Sequence, residues 1–157
     1  MRILVISDSH GRHSAVEAAI ESQPSAKHVF FLGDCLKDIE YFDAFFPDRT
    51  FHKVRGNCDF SSDEKEFDFI TLGNRKILFT HGHGLSVKSG LTRLKSFAHG
   101  AGADIVLYGH THVANTEYAD GLYLVNPGSI GHSRDGRCSY AVIDIINSQV
   151  MPIIINV

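Results

Sequence analysis

Side chains that can bind a metal ion occur at five separate places along this sequence. They are Asp8, His10, Asp34, Asn57, His81, His110 and His112. Carboxylate, imidazole and amide oxygen together form a mixed ligand set that suits Mn, Fe, Zn, Co or Ni. The residue types therefore predict a metal site, and their number is sufficient for two divalent cations.

The spacing within two of these groups favours convergence. Asp8 and His10 are two positions apart, as are His110 and His112. In an extended chain, residues i and i+2 share a face, so each pair is predicted to point toward one place. Glycines that would let the backbone turn sharply beside the site stand at Gly11, Gly33, Gly56, Gly82 and Gly109.

Each group follows an apolar run that is predicted to be a strand. The runs are Arg2 to Ser7, His28 to Leu32, Thr50 to Val54, Lys76 to Thr80 and Asp104 to Tyr108. In α/β sheets, ligands bind at the carboxyl ends of the strands. A single polar residue after a strand is usually a turn or cap residue, but that interpretation does not account for five such strands. The groups are therefore predicted to converge on one site.

Helices are predicted between several of the strands. Ser14 and Glu17 form a capping box for a helix that ends near Gln23. A second helix is predicted over Leu36 to Phe46, and a third is predicted to end at Gly100 as its C-cap.

The remaining strands have an antiparallel character. Gly73-Asn74 predicts a hairpin, and Asp120-Gly121 and Asn147-Ser148 predict tight turns between strands. Together the elements predict one domain over residues 1–157. We expect two sheets packed face to face with helices outside.

The composition sets limits on location and partners. Hydrophobic residues make up 43% and charged residues 21% of the 157 residues, as in globular proteins. The formal net charge of −3 makes nucleic acid an unexpected partner. No apolar run approaches the ~20 residues of a membrane span, so a membrane partner is not expected. The absence of a signal-like N-terminus and of any Cys-x-x-Cys motif favours the cytoplasm, and a homo-oligomer is compatible with the sequence.

The order of the motifs resembles that of a known superfamily. The series Asp-x-His, Gly-Asp, Gly-Asn-Cys-Asp, Thr-His-Gly-His and Gly-His-x-His is similar to that of the calcineurin-like metallophosphoesterases. The run from Val54 to Asp59 is similar to that of the small stand-alone YfcE-like phosphodiesterases of bacteria and archaea. The Asn126-Pro-Gly-Ser129 turn also matches, so the resemblance covers nearly the whole chain.

The resemblance implies a fold, a metal centre and an activity. The fold would be an α/β four-layer αββα sandwich of two mixed β-sheets flanked by helices. Two divalent metal ions per chain would be bound, with Mn²⁺ favoured over Ni²⁺, Zn²⁺, Fe or Co²⁺. Asp8, His10 and His112 would hold one metal, Asn57, His81 and His110 the other, and Asp34 would bridge them. A hydroxide between the metals would hydrolyse a small phosphate ester, preferably a diester, with Asp8, Asp34, Asn57 and His81 as the catalytic residues.

The sequence departs from the wider superfamily at Cys58. Many members have a histidine there, which is thought to protonate the leaving group. The identity of a general acid is therefore open: His83 is a substitute by position, or else it supports the ligands or contacts an anion. Arg12 and Arg55, beside ligand positions, contact either a phosphate oxygen or a structural acidic partner.

Other functions are less consistent with the sequence. An aspartyl-phosphate hydrolase that used Asp8 as nucleophile would usually have a second Asp in place of His10. An amidohydrolase barrel needs ~250 residues, and no P-loop is present. The alternative from another class is a catalytically weak protein-binding scaffold, because the retromer subunit with this fold has an impaired metal site.

Overall fold

Two five-stranded sheets form the centre of the fold in a computed structural model that describes residues 1–157. The first sheet has the order β10-β9-β1-β2-β3 and contains β1 (Arg2–Ile6), β2 (Ala26–Phe31), β3 (Thr50–Lys53), β9 (Ser139–Ile146) and β10 (Gln149–Asn156). The second has the order β4-β5-β6-β8-β7 and contains β4 (Phe67–Leu72), β5 (Arg75–Thr80), β6 (Ile105–Tyr108), β7 (Ala114–Ala119) and β8 (Leu122–Pro127).

Both sheets are mixed. Strands β1, β2 and β3 run parallel in the first sheet, and β5, β6 and β8 run parallel in the second. The remaining pairs are antiparallel. The parallel strands of each sheet end at a common edge, and the loops that leave this edge carry the candidate ligands.

Three hydrophobic clusters separate four layers. Val5 and Phe30 of the first sheet pack against Phe79 and Leu107 of the second in the central cluster. Helix α1 (His13–Ser22), α2 (Phe42–Phe45) and a short 3-10 helix cover the outer face of the first sheet. Helix α3 (Thr92–Ala101) covers the second sheet. The predicted αββα sandwich is confirmed.

The predicted hairpin turns are also present. Asp120 and Gly121 join β7 to β8, and Asn147 and Ser148 join β9 to β10. All four have positive φ angles, of 55°, 81°, 49° and 67° respectively. Two successive positive φ angles characterise the turns that match the twist of a β-hairpin.

The predicted helix over Leu36 to Phe46 is wrong. The chain forms a 3-10 helix at Leu36–Ile39 and then α2, with a turn between them. The Glu40 N–H bonds to the Lys37 carbonyl rather than continuing an α-helical ladder. This tighter turn places Ile39 and Phe42, three residues apart, in the same buried cluster.

Two helix boundaries also differ from the prediction. Helix α1 begins at His13 without a side-chain cap, so the Ser14–Glu17 capping box is absent. Helix α3 continues through Gly100 and is terminated by Gly102, whose φ is 65°. The Ala103 N–H bonds to the Ala98 carbonyl, which completes a Schellman motif around Gly102. None of the helices combines the length and the apolar character that a membrane crossing requires.

Candidate metal centre

The structure brings all seven candidate ligands together where the loops that follow five strands meet. Their donor atoms form two groups: Asp8, His10, Asp34 and His112 in one, and Asp34, His81 and His110 in the other. Within each group the donor atoms lie within 4.8 Å of one another. Asn57 joins the second group, because its Oδ1 lies 3.1 Å from Nε2 of His81. Asp34 belongs to both groups.

The two oxygens of the buried Asp8 carboxylate have different surroundings. Oδ2 accepts the Ser7 hydroxyl and, at 3.1 Å, the backbone N–H of His110. Oδ1 is buried without a hydrogen-bond donor and faces Nε2 of His112 at 3.0 Å. One oxygen therefore fixes the carboxylate, and the other remains available as a ligand.

The contacts of His112 leave a lone pair directed at Asp8. Its Nδ1 lies 2.7 Å from the carbonyl oxygen of His132, which can only accept, so Nδ1 carries a proton. In the neutral ring, Nε2 then presents a lone pair to the Asp8 carboxylate, and it lies 3.3 Å from Nε2 of His10. Acceptors that face one another require a proton or a cation between them.

His81 repeats this arrangement in the second group. Its Nδ1 lies 2.7 Å from the Leu32 carbonyl oxygen, which fixes the proton on Nδ1. Its Nε2 then faces Oδ1 of Asn57 at 3.1 Å and Nδ1 of His110 at 3.0 Å. Such second hydrogen bonds are the usual way in which metal-binding histidines are oriented.

A single oxygen of Asp34 lies between the two groups. Oδ1 accepts the Cys58 backbone N–H at 2.9 Å. Oδ2 lies 3.9 Å from Nε2 of His10 and 3.6 Å from Nε2 of His81. This is the position that a bridging ligand would need.

Left-handed backbone, not extended strand, directs most of these side chains. The five residues concerned, with their φ angles, are Asp8 (56°), His10 (45°), Asp34 (59°), His110 (68°) and His112 (60°). The extended backbone expected for the i, i+2 pairs is therefore wrong, although Asp8 and His10 do enter the same donor group. His110 and His112 enter different groups instead. Residues in sparsely populated backbone regions cost about 1–3 kcal/mol each and cluster at functional sites.

Two glycines allow the backbone to pass directly against the carboxylates. A Cβ on Gly109 would overlap the Ser7 hydroxyl and lie 2.9 Å from Oδ2 of Asp8. A Cβ on Gly56 would overlap the Asp34 side chain. Any other residue at these positions would displace the carboxylates.

Asp59 organises the site, and this role is not predicted from its residue type alone. Its carboxylate accepts the backbone N–H groups of Asp34, Cys35, Leu36 and Gly56 at 2.8–3.0 Å. These bonds tie the loop that carries Asp34 to the loop that carries Asn57. Its place in the Gly-Asn-Cys-Asp motif was the available signal.

The Asn126–Ser129 segment supports the other side of the site. Asn126 donates to the Gly109 carbonyl at 3.1 Å. Ser129 donates to the Asp8 carbonyl at 2.7 Å and accepts the His132 N–H at 2.7 Å. The His132 carbonyl in turn accepts from His112, so the Asn126–Ser129 segment positions two candidate ligands, Asp8 and His112.

Burial and mutual contact alter the acidities in the metal-free site. Burial opposes ionisation of Asp8, but His112 and His81 outweigh it and lower the pKa of this carboxyl. The adjacent Asp8 carboxylate raises the pKa of His112. Burial and His81 lower the pKa of His110 to about 4. His110 is therefore a neutral ring, with a lone pair for a metal, across the physiological range.

The residues beside the ligands differ in their contacts. Arg55 donates to Glu66 at 2.7 Å, so of its two expected partners it contacts a structural acidic residue. His83 lies 3.9 Å from the same carboxylate, and its Nδ1 is buried without a partner. Burial and the Asp34 carboxylate raise the pKa of Cys58 to about 11. The Cys58 side chain is therefore a neutral thiol.

The four-layer fold and the paired donor groups correspond to a known class of phosphoesterases. Residues 1–148 match the family model described as the calcineurin-like phosphoesterase superfamily domain, and the chain belongs to this family. The motifs and the relatives described below support membership of its YfcE-like subgroup.

Three comparisons illustrate this relationship. The chain is 36% identical over 149 residues to a probable metallophosphoesterase, YsnB, of Bacillus subtilis, covering 94% of this chain and 86% of the relative. It is 30% identical over 168 residues to the phosphodiesterase YfcE of Escherichia coli, covering 92% and 88% respectively. A crystal structure of a predicted phosphoesterase from Streptococcus pneumoniae superposes with a TM-score of 0.84 at 30% identity, covering 99% of this chain and 88% of the other.

Proposed function

We propose that this chain is a phosphodiesterase that requires two divalent cations and hydrolyses a small phosphate ester. The observation that carries the proposal is the pair of donor groups that share Oδ2 of Asp34. Two such cations, held by these residues, would supply hydroxide from water near neutral pH and positive charge for the phosphoryl oxygens. Mn²⁺ is the favoured ion, with Ni²⁺, Zn²⁺, Fe and Co²⁺ as alternatives.

The residues present fit this requirement. In our assignment Asp8, His10 and His112 hold one cation, Asn57, His81 and His110 hold the other, and Asp34 holds both. The orphaned Oδ1 of Asp8 supports the fit, because a buried carboxylate oxygen without a donor is costly unless a cation faces it. The Nε2 lone pairs of His81 and His112 are oriented toward the same space.

The charge of the site favours an anionic ester. Asp8 and Asp34 are the only carboxylates in the two donor groups, so they balance only part of the charge of two divalent cations. The remaining positive charge would favour a phosphodiester anion and charge that develops on its oxygens. Asp8 is held by Ser7 and His110 and faces His112, which is consistent with a ligand and not with a free nucleophile.

Preference for a diester rests on the relatives named phosphodiesterases. The scaffold alternative predicts an incomplete ligand set, whereas each ligand position here carries a competent side chain.

Metal removal tests the proposal. After exhaustive chelation, the protein should lose hydrolysis of bis(4-nitrophenyl) phosphate, and added Mn²⁺ should restore it. Metal content should be measured in parallel, with two ions per chain expected. Full activity in metal-free protein would exclude the proposed mechanism, and two bound ions without turnover would favour the scaffold.

A further inference from the structure

A cleft of about 700 Å³ opens beside the candidate metal centre. Cys35 and Cys58 line it, and they directly follow Asp34 and Asn57 in the chain. Sγ of Cys58 lies 3.4 Å from Nδ2 of Asn57, so the cleft and the metal centre share a wall. Its volume lies within the range of about 300–1,000 Å³ that small-molecule sites occupy.

The walls of this cleft are tied to each other. One wall contains Cys35 and Leu36, and the other contains Asp59 and the residues that follow it. The Asp59 carboxylate accepts the N–H groups of Cys35 at 3.0 Å and of Leu36 at 2.8 Å. The cleft is therefore preorganised and does not depend on a ligand to bring its walls together.

An unpartnered aromatic ring stands at the cleft. The Phe60 side chain lines it and is 89% exposed, whereas Phe30 and Phe79 are buried in the core. Stacking of a flat apolar group on such a solvent-exposed phenyl ring lowers the free energy of the complex. Stacking on an aromatic side chain is also a common way of holding a nucleic acid base.

The charged residues of the cleft are predominantly acidic. Lys37 and Lys53 line it together with Asp38, Glu40, Asp59 and Glu64. Lys53 is already paired with Asp43 at 2.6 Å, and the carboxylates of Asp38 and Asp59 accept backbone N–H groups. Glu40, Glu64 and Lys37 make no ion pair, so the unpaired charges of the cleft sum to a negative value, and the two carboxylates can accept hydrogen bonds from a ligand or repel an anion.

We propose that this cleft binds one ester group of the diester, and that this group is a flat, uncharged ring system such as a nucleoside. The inference rests on the proposed phosphodiesterase function and names the substrate class of the same site. Phe60 stacks on the ring, and Glu40 and Glu64 accept hydrogen bonds from its hydroxyl or amino groups. The same two carboxylates disfavour a group that carries a second phosphate.

Two substrates with the same leaving group test the stacking. Thymidine 5′-(4-nitrophenyl phosphate) and methyl 4-nitrophenyl phosphate both release nitrophenolate, so the chemical step is matched. Phe60→Ala should lower kcat/KM for the thymidine ester about 2- to 10-fold, the range expected for one aromatic stacking contact. The methyl group offers no ring to stack on, so the loss should be smaller for the methyl ester, and Phe60→Trp should preserve the preference for thymidine. Tyr118→Ala, an exposed aromatic on an edge strand of the second sheet, is the matched control.

A third substrate tests the charge. Thymidine 3′-phosphate 5′-(4-nitrophenyl phosphate) adds one phosphate to the same ring. Wild-type protein should hydrolyse it less efficiently than the ester without the 3′-phosphate, and a Glu40→Gln, Glu64→Gln double variant should narrow that difference. A wild-type preference for the 3′-phosphate would overturn the assignment of an uncharged group.

A binding measurement separates this inference from the proposed function. Thymidine titrated into ¹⁵N-labelled protein should shift the backbone amide signals of Leu36 and Ser61, and Phe60→Ala should weaken the effect. Absence of Mn²⁺-dependent turnover would overturn the phosphodiesterase proposal alone. Absence of these shifts, or an equal effect of Phe60→Ala on both nitrophenyl esters, would overturn the cleft assignment even in an active enzyme.

Discussion

The carboxylate of Asp59 accepts the backbone N–H of Asp34 at 2.9 Å, although the two residues are 25 positions apart. Asp59→Asn would turn one acceptor oxygen into a donor and leave some of the four N–H groups unpaired. Each buried unpaired group costs about 1–3 kcal/mol. We therefore expect a lower urea midpoint in metal-free protein. We also expect metal affinity to fall about 10- to 100-fold, as is typical when a group that orients the ligands is lost.

The control for this variant is Asp63→Asn on the same loop. Asp63 is exposed, and its side chain makes no hydrogen bond or ion pair. Asp63→Asn should leave both the urea midpoint and the affinity for Mn²⁺ unchanged. If Asp59→Asn behaved like Asp63→Asn, the proposed coupling of the two loops would be wrong.

Asp34 should be the most sensitive of the candidate ligands. Its Oδ2 faces both donor groups, whereas His112 contacts only one of them. Asp34→Asn should therefore weaken the binding of both cations. It should lower activity by more than a factor of about 10 to 100, which is typical for loss of a residue that supports the ligands. His112→Ala should retain one tightly bound ion. Metal content after dialysis and kcat would be measured for both variants, and near-normal values for Asp34→Asn would refute the bridging assignment.

The strands and the place where their ends converge could be predicted from the sequence. Apolar runs such as Ile3 to Ile6 have an unambiguous buried character, and the polar residues that follow them are easily recognised. Parallel pairing of β1, β2 and β3 then brings their carboxyl ends together. The turns at Asp120-Gly121 and Asn147-Ser148 were predictable because residue type and backbone conformation are locally coupled.

Features that depend on long-range contacts could not be predicted in the same way. The left-handed Asp8 makes backbone hydrogen bonds to Gly33 and Gly131, which are far away in the chain, and the left-handed His112 accepts the N–H of Arg134 across a loop. Local sequence alone instead predicts an extended backbone for residues that directly follow a strand. Similarly, the N–H groups of Cys35 and Leu36 bond to Asp59, which alters the start of the predicted second helix.

A histidine pair outside the metal centre should make stability depend on pH. Nε2 of His52 lies 3.0 Å from Nδ1 of His28, and its ring stacks on Phe30. Burial and His28 lower the pKa of His52 to about 4, although Asp68 on β4 opposes this shift. The folded state therefore disfavours protonation, and the contribution of neutral His52 to stability is present above about pH 6.5 and lost as pH falls toward 4.

Urea unfolding at pH 7 and pH 5 would measure this dependence. His52→Phe removes the titrating group but retains an aromatic ring against Phe30, so its midpoint should fall less between the two pH values than that of the wild type. The exposed His99 of α3 supplies the control, and His99→Gln should follow the wild type. Equal pH dependence in all three proteins would show that His52 does not link protonation to folding.

Cys58 should limit the enzyme to esters with good leaving groups. The Cys58 N–H donates to Asp34, and its thiol lies beside Asn57, at the rim of the candidate centre. A positioned general acid contributes about 10²- to 10⁴-fold only when the leaving group needs its proton. A 4-nitrophenyl diester should therefore be hydrolysed much faster than an alkyl diester, and Cys58→His should accelerate chiefly the alkyl substrate. Cys58→Ala should change nitrophenyl hydrolysis little, and loss of that activity with both metals still bound would instead assign the thiol a direct part in the reaction.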